Sequence, residues 1–210
     1  TINGNSNITA ESPFVALAGD GGILIDGSTA NITSRSSRSF AIYTPEALTI
    51  QNKASVTVTS ANTALGAGGP ILINGSTLNA TGRQTGLDAR STLEIIGCKL
   101  QLQAGYTALI GRDTVALSNC TGTIQSIGVY VEELQEHIYS SAMEVGGKLT
   151  INGGNTNLTV TGTDGIVCEG EMTFAGGRLS AIGSNGDGIS LRNKLDFISG
   201  ELHAKGSERA

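Results

Sequence analysis

The sequence predicts an all-β fold: a right-handed parallel β-helix, or solenoid, of about nine coils of 22–25 residues carrying three short parallel sheets. Three observations point there. Lines of the chain align at a fixed period; each line holds apolar residues alternating two by two; and the bends between them carry glycine or asparagine. The period is clearest from Ile71 to Ile124, where ILINGSTLNATGRQTGLDARST, LEIIGCKLQLQAGYTALIGRDT and VALSNCTGTI stack at 22-residue intervals. A repeat of this length is the signature of a solenoid, whose units bury their apolar faces only by stacking on their neighbours.

The first strand of each coil is marked by Ile2, Ile25, Ile50, Ile73, Ile95, Leu117, Ile151, Phe174 and Phe197. Successive steps are 23, 25, 23, 22, 22, 34, 23 and 23 residues, so a single step is out of line. Ile23, Leu48, Ile71, Leu93, Val115, Leu149, Met172 and Leu195 precede these markers by two and share their face. The second strand gives Ile8, Ala30, Val56, Leu78, Leu100, Gly122, Leu158, Leu179 and Leu202. The third gives Leu17, Ile42, Leu65, Leu87, Leu109, Met143, Ile166 and Ile189. Period-two alternation places each row on the inside of a half-buried strand.

Between the first and second strands come Gly27, Asn52, Gly75, Gly97, Asn119, Gly153 and Gly176. A left-handed backbone position selects those two residue types. Leucine-rich repeats overlap in period but need a fixed Leu-x-Leu-x-x-Asn frame, and hexapeptide left-handed helices have a coil of about 18 residues. The right hand follows from the rule for parallel crossovers.

The long step holds an insertion at about residues 128–140, GVYVEELQEHIYS, with a helical turn expected through Glu132–His137. Residues 1–210 read as a single β-helix domain, and as a piece of a longer chain because Thr1 already lies inside a repeat.

Composition narrows the function classes. Thirty glycines, three prolines and no tryptophan suit short strands and tight turns, and a net charge of −5 argues against phosphate-backbone binding and so against nucleic acid. No apolar run approaches the roughly 18 residues of a membrane-spanning helix, so no membrane insertion is expected. Five Asn-x-Thr triplets, at Asn7, Asn31, Asn79, Asn119 and Asn157, read as by-products of the alternating polar strand pattern. Cys98 and Cys120 fall in one small-residue bend of adjacent coils and read as buried thiols, because parallel Cβ directions suit bridging poorly.

Candidate site residues gather around the third strand. Asp88 and Glu144 occupy matching outward positions two coils apart, with Ile110 between them, and Arg90 and Arg112 stack one coil apart. With Glu94 and Asp113 they form a mixture of carboxylates and guanidiniums beside the insertion, whose Tyr130 and His137 would face the same concave corner. The ligand-binding set expected there is Asp88, Arg90, Arg112, Tyr130, His137 and Glu144. Asp164 and Asp187, each in an Asp-Gly-Ile triplet, are the candidate metal ligands, with calcium as the ion. Their row also holds Thr63, Thr85, Thr107 and Ser141, all able to cap a turn by accepting a backbone N–H.

The lines LTINGG (149–154), TDGIV (163–167) and GDGIS (186–190) resemble the β-helical carbohydrate-binding-domain proteins of gut and plant-degrading bacteria. The resemblance covers most of the chain, clearest over Leu149–Lys205; in the earlier coils Asp-Gly becomes Thr-Ala or Thr-Gly. It implies a secreted or cell-surface-attached, non-catalytic protein that binds polysaccharide or a cell-surface glycan, sometimes with calcium. Two other readings stand beside it: a structural stalk or adhesin segment, and a polysaccharide lyase or hydrolase acting through the Asp88–Glu144 region.

Overall fold

A computed structural model describes residues 1–131, 136–138 and 140–207; for 129–131 and 136–138 only the backbone is described. Among the described residues there is no helix. Strands of successive coils pair in parallel, and every marker row is a ladder rung. Ile25 pairs Ile50, Ile50 pairs Ile73, Ile73 pairs Ile95, Ile95 pairs Leu117, and Leu117 pairs Ile151 across the long step. The third-strand row pairs in the same way, from Leu17 with Ile42 to Ile166 with Ile189. Eight turns are closed by a third strand, the last of them Ile189–Leu191, and Leu195–Lys205 begins a ninth.

The inward rows form one continuous core. Ile25, Ile50, Leu65, Leu87, Leu109, Leu117, Ile151 and Phe174 are fully buried. Each such side chain contributes roughly 1.5–3 kcal/mol on leaving water, an upper figure because an unfolded chain is already partly collapsed. One inward position departs from the pattern. At Gly122, whose φ is 134°, a Cβ would stand 1.8 Å from the carbonyl oxygen of Leu100 on the paired strand, so this rung takes glycine in place of an apolar side chain.

All seven expected bend residues have positive φ, from 51° at Asn119 to 107° at Gly176. Three residues after the markers Ile25, Ile73, Ile95 and Leu117 lies a small residue whose side chain makes a local hydrogen bond. Ser28 Oγ donates to the Asp26 carbonyl at 2.8 Å and Ser76 Oγ to that of Asn74 at 2.8 Å. Cys98 Sγ and Cys120 Sγ make the same bond, to Ile96 at 3.1 Å and Ser118 at 3.3 Å. The thiols are unbridged and buried, each standing where other coils place a serine.

Two features differ from the sequence reading. The first and second ladders belong to one 15-stranded sheet rather than two, because Met172–Gly183 and Leu195–Lys205 run through the bend without a break. Register shifts around Ala175, with Gly176, Gly177 and Gly200 at positive φ, let the strand turn the corner and keep pairing. The third ladder is a separate eight-stranded sheet. Within the insertion, Val129–Val131 pairs antiparallel with Glu136–Ile138, so the expected helical turn gives way to extended backbone at its C-terminal end. Tyr and β-branched residues on both arms favour that pairing. The insertion is closed at its base by Ser126 Oγ and Ser140 Oγ, 2.6 Å apart, which returns the chain to the ladder at Ser141.

Candidate functional site

The candidate residues around Asp88 and Glu144 lie on the outward face of the third sheet. Along it, one residue per coil, run Tyr43, Gly66, Asp88, Ile110, Glu144, Val167 and Ser190, each paired with the next. Parallel pairing holds successive residues about 4.8 Å apart, so the row is a straight track along the axis.

Asp88 is outward-facing yet only 7% exposed. Arg90 Nε stands 3.8 Å from its Oδ2 and Arg112 Nε 3.5 Å from its Oδ1, with both arginine side chains at least half exposed. Oδ1 is buried and accepts no hydrogen bond among the described residues. With so little of it open to solvent, the carboxylate acts through the two guanidiniums it holds beside it rather than by meeting a ligand itself. Screening keeps each ion pair with a half-exposed guanidinium to about 1 kcal/mol or less; the pairs position the guanidiniums more than they stabilise the fold.

Two rungs along, Glu144 Oε1 accepts from Ser141 Oγ at 2.9 Å and Thr107 Oγ1 at 3.1 Å. These two hydroxyls therefore orient a carboxylate instead of capping turns. A groove of about 350 Å³ opens here, lined among others by Ile110, Arg112, Glu144, Val167 and Glu169. Glu169 is held in turn by Arg192 Nε at 2.7 Å. A concave site with apolar walls and a few oriented polar groups is what a small polar ligand requires.

A family model described as carbohydrate-binding domain-containing protein matches residues 5–208. The chain belongs to that family. No curated protein and no solved structure matches it. This carbohydrate-binding domain is thus a parallel β-solenoid, and carbohydrate is its ligand class.

Of the residues singled out from sequence, Asp88, Arg90, Arg112 and Glu144 come together on one face of the domain. Glu94 does not: it projects from the first sheet, paired between Leu72 and Ala116. Tyr130 and His137 face one another across the hairpin ladder, and their side chains lie outside the described residues. Asp164 Oδ1 accepts the Asp187 backbone N–H at 2.7 Å, so in this pair the capping role is met across coils. Among the described residues no three His, Cys, Asp or Glu side chains group around a common point.

From sequence, Tyr43 counts only as one of four tyrosines, too few to make a strong sugar-binder, and Phe40 is not considered. Phe40 opens the strand Phe40–Thr44, and its ring lies over Gly66, where a Cβ would meet ring atoms at 2.3 and 2.7 Å. Its ring centroid is 4.8 Å from that of Tyr43, and both rings remain partly exposed. The signal was present as a glycine in an outward row one coil after two aromatics. It was hidden because Phe40 stands in the row that holds Thr, Ser or Asp in the later coils.

Proposed function

We propose that this chain is a secreted or cell-surface, non-catalytic module that binds an extended polysaccharide along the outward face of its third sheet. The observation that carries the reading is the groove at Glu144 and Arg112, walled by Ile110 and Val167. Carboxylates accept from sugar hydroxyls and guanidiniums donate to them, so paired Asp–Arg and Glu–hydroxyl clusters on a rigid sheet suit a polyhydroxylated ligand. The straight track matches a polymer better than a compact metabolite.

Binding without turnover is favoured by what the two carboxylates already hold: Asp88 is 7% exposed between the Arg90 and Arg112 guanidiniums, and Glu144 Oε1 accepts from two hydroxyls. Placement outside the cell belongs to the same proposal, since that is where an extended polysaccharide is met; antibody labelling of intact cells tests it.

A glycan array run on the intact chain and on Glu144→Ala and Arg112→Ala variants tests the site. Binding to polymeric glycans that both substitutions weaken supports it. A blank array would favour the stalk reading, and binding indifferent to both substitutions would move the site elsewhere. Release of shortened products from a bound glycan would restore the lyase or hydrolase reading.

A further inference from the structure

We infer that Phe40 and Tyr43 form a stacking platform for a sugar ring at one end of this track, and that the track takes a neutral glycan. The inference rests on the carbohydrate-binding reading above and extends it by a second subsite and a ligand charge.

The platform is built into the ladder. Phe40 pairs with Thr63 and Tyr43 with Gly66, so the two aromatics sit on the coil preceding Gly66. Gly66 supplies no side chain, and the Phe40 ring occupies the space above it. Asp88 is the next rung beyond Gly66. Phe40 and Tyr43 are tilted by 33° to one another and are both open to solvent in part. A pyranose ring has an apolar C–H face and a rim of hydroxyls. The aromatics offer the first a surface, and the half-exposed Arg90 and Arg112 guanidiniums beside Asp88 offer the second hydrogen-bond donors.

Continuity makes the platform part of one site. Tyr43, Gly66, Asp88, Ile110 and Glu144 are consecutive rungs, so about 19 Å of track joins the aromatics to the groove at a 4.8 Å spacing. A polymer lying along the axis reaches both.

The charges along the track cancel. Asp88 faces Arg90 and Arg112, Glu169 faces Arg192, and Glu144 beside Arg112 completes a set of three carboxylates and three guanidiniums. An acidic sugar must compete with Asp88 or Glu169 for a guanidinium, and an amino sugar must displace a guanidinium from a carboxylate. A neutral sugar disturbs neither.

The test is a calorimetric titration of the intact chain with three hexasaccharides: a neutral gluco-oligosaccharide, a uronate oligomer and an amino-sugar oligomer. The neutral oligomer is expected to bind at least tenfold more tightly than either charged one. Phe40→Ala and Tyr43→Ala are each expected to weaken it about tenfold, and Tyr43→Phe, which keeps the ring, by less than about threefold. The chain contains no tryptophan, so its ultraviolet emission comes from four tyrosines. Saturation with the neutral oligomer should change that emission, and Tyr43→Phe should abolish the change. This readout does not depend on the alanine variants folding. Wild-type affinity in Phe40→Ala and Tyr43→Ala with a loss in Glu144→Ala overturns the platform and leaves the groove standing. Tighter binding of a charged oligomer overturns the neutral assignment, and no binding of any of the three overturns the carbohydrate reading of this face.

Discussion

Cys120 stands one coil beyond Cys98 in the same bend, and each thiol donates to the carbonyl two residues before it, at 3.3 and 3.1 Å. The pair is a variant of the serine bend rather than a reactive couple. Each sulfur also approaches a carbonyl of the preceding coil, Cys120 that of Ile95 at 3.2 Å and Cys98 that of Ile73 at 3.3 Å. Burial removes the thiolate's hydration and pushes both thiols up, Cys120 from 9.0 to about 11.

That shift fixes a pH dependence. Below pH 9 the thiol is protonated in both folded and unfolded chains, and its contribution is fully present. Between pH 9 and about 11 the unfolded thiol ionises first, the unfolded state gains, and stability falls. The expected loss through Cys120 is about 2–3 kcal/mol over this window. Denaturant midpoints of the intact chain and of Cys120→Ser, compared from pH 8 to 11, check it, because other groups titrate equally in both. A parallel fall in the two would sink the assignment. Thiol reagents at pH 8 should label the folded chain far more slowly than the unfolded one.

Leu87 and Asp88 are adjacent and face opposite sides of the third sheet. Leu87→Asp places an unpaired charge in a fully buried position and is expected to cost more than about 3 kcal/mol or to prevent folding. Asp88→Asn keeps the shape and the outward direction, and is expected to change stability by less than about 1 kcal/mol, since it trades two screened ion pairs for a cheaper buried group. Thermal midpoints of the two variants give the answer, and similar midpoints would contradict the assignment of faces.

Gly122 is the inward position without a side chain. Its φ of 134° and the 1.8 Å separation between a Cβ there and the Leu100 carbonyl oxygen leave no room for alanine. Gly122→Ala is expected to destabilise by at least about 2 kcal/mol, where Gly75→Ala, with nothing within 4 Å of its Cβ, incurs only the left-handed backbone penalty of about 1–2 kcal/mol. Chemical denaturation of both variants orders them, and equal losses would show that packing at Gly122 does not matter.

The fold was legible because each coil repeats the same demands. Rows such as Ile25, Ile50, Ile73 and Ile95 give the register directly, and Gly27 or Asn52 marks the bend by a backbone angle few residues tolerate. The site was legible only in part. Ladder arithmetic placed Asp88, Ile110 and Glu144 in line, but it treated outward as exposed. Asp88 is buried because the Phe40 ring fills the place beside it and two arginine side chains converge on its carboxylate. Such lateral packing depends on side-chain reach, which has no period. The Thr107 and Ser141 hydroxyls read as turn caps for the same reason, while their partner is Glu144 across the surface.

Asp164 and Asp187 decide whether calcium belongs to the fold. Calcium takes 6–8 oxygen ligands at about 2.3–2.6 Å, and a site built on these two carboxylates needs several further oxygens close by. Asp164 Oδ1 is already committed to the Asp187 N–H at 2.7 Å, and a Cβ at Gly186 would stand 2.0 Å from the same oxygen, so the backbone closes around that side of the carboxylate. A buried charge-assisted bond of this kind stabilises by roughly 1.5–3 kcal/mol, less where water reaches it as here. Asp164→Ala is therefore expected to lower stability by about 1 kcal/mol, and Asp164→Asn, which keeps an accepting oxygen, by less. The thermal midpoint of the intact chain is expected to be the same in millimolar calcium and in chelator. A rise with calcium that Asp164→Asn abolishes would show instead that the two aspartates hold the ion and that the inter-coil bond gives way to it.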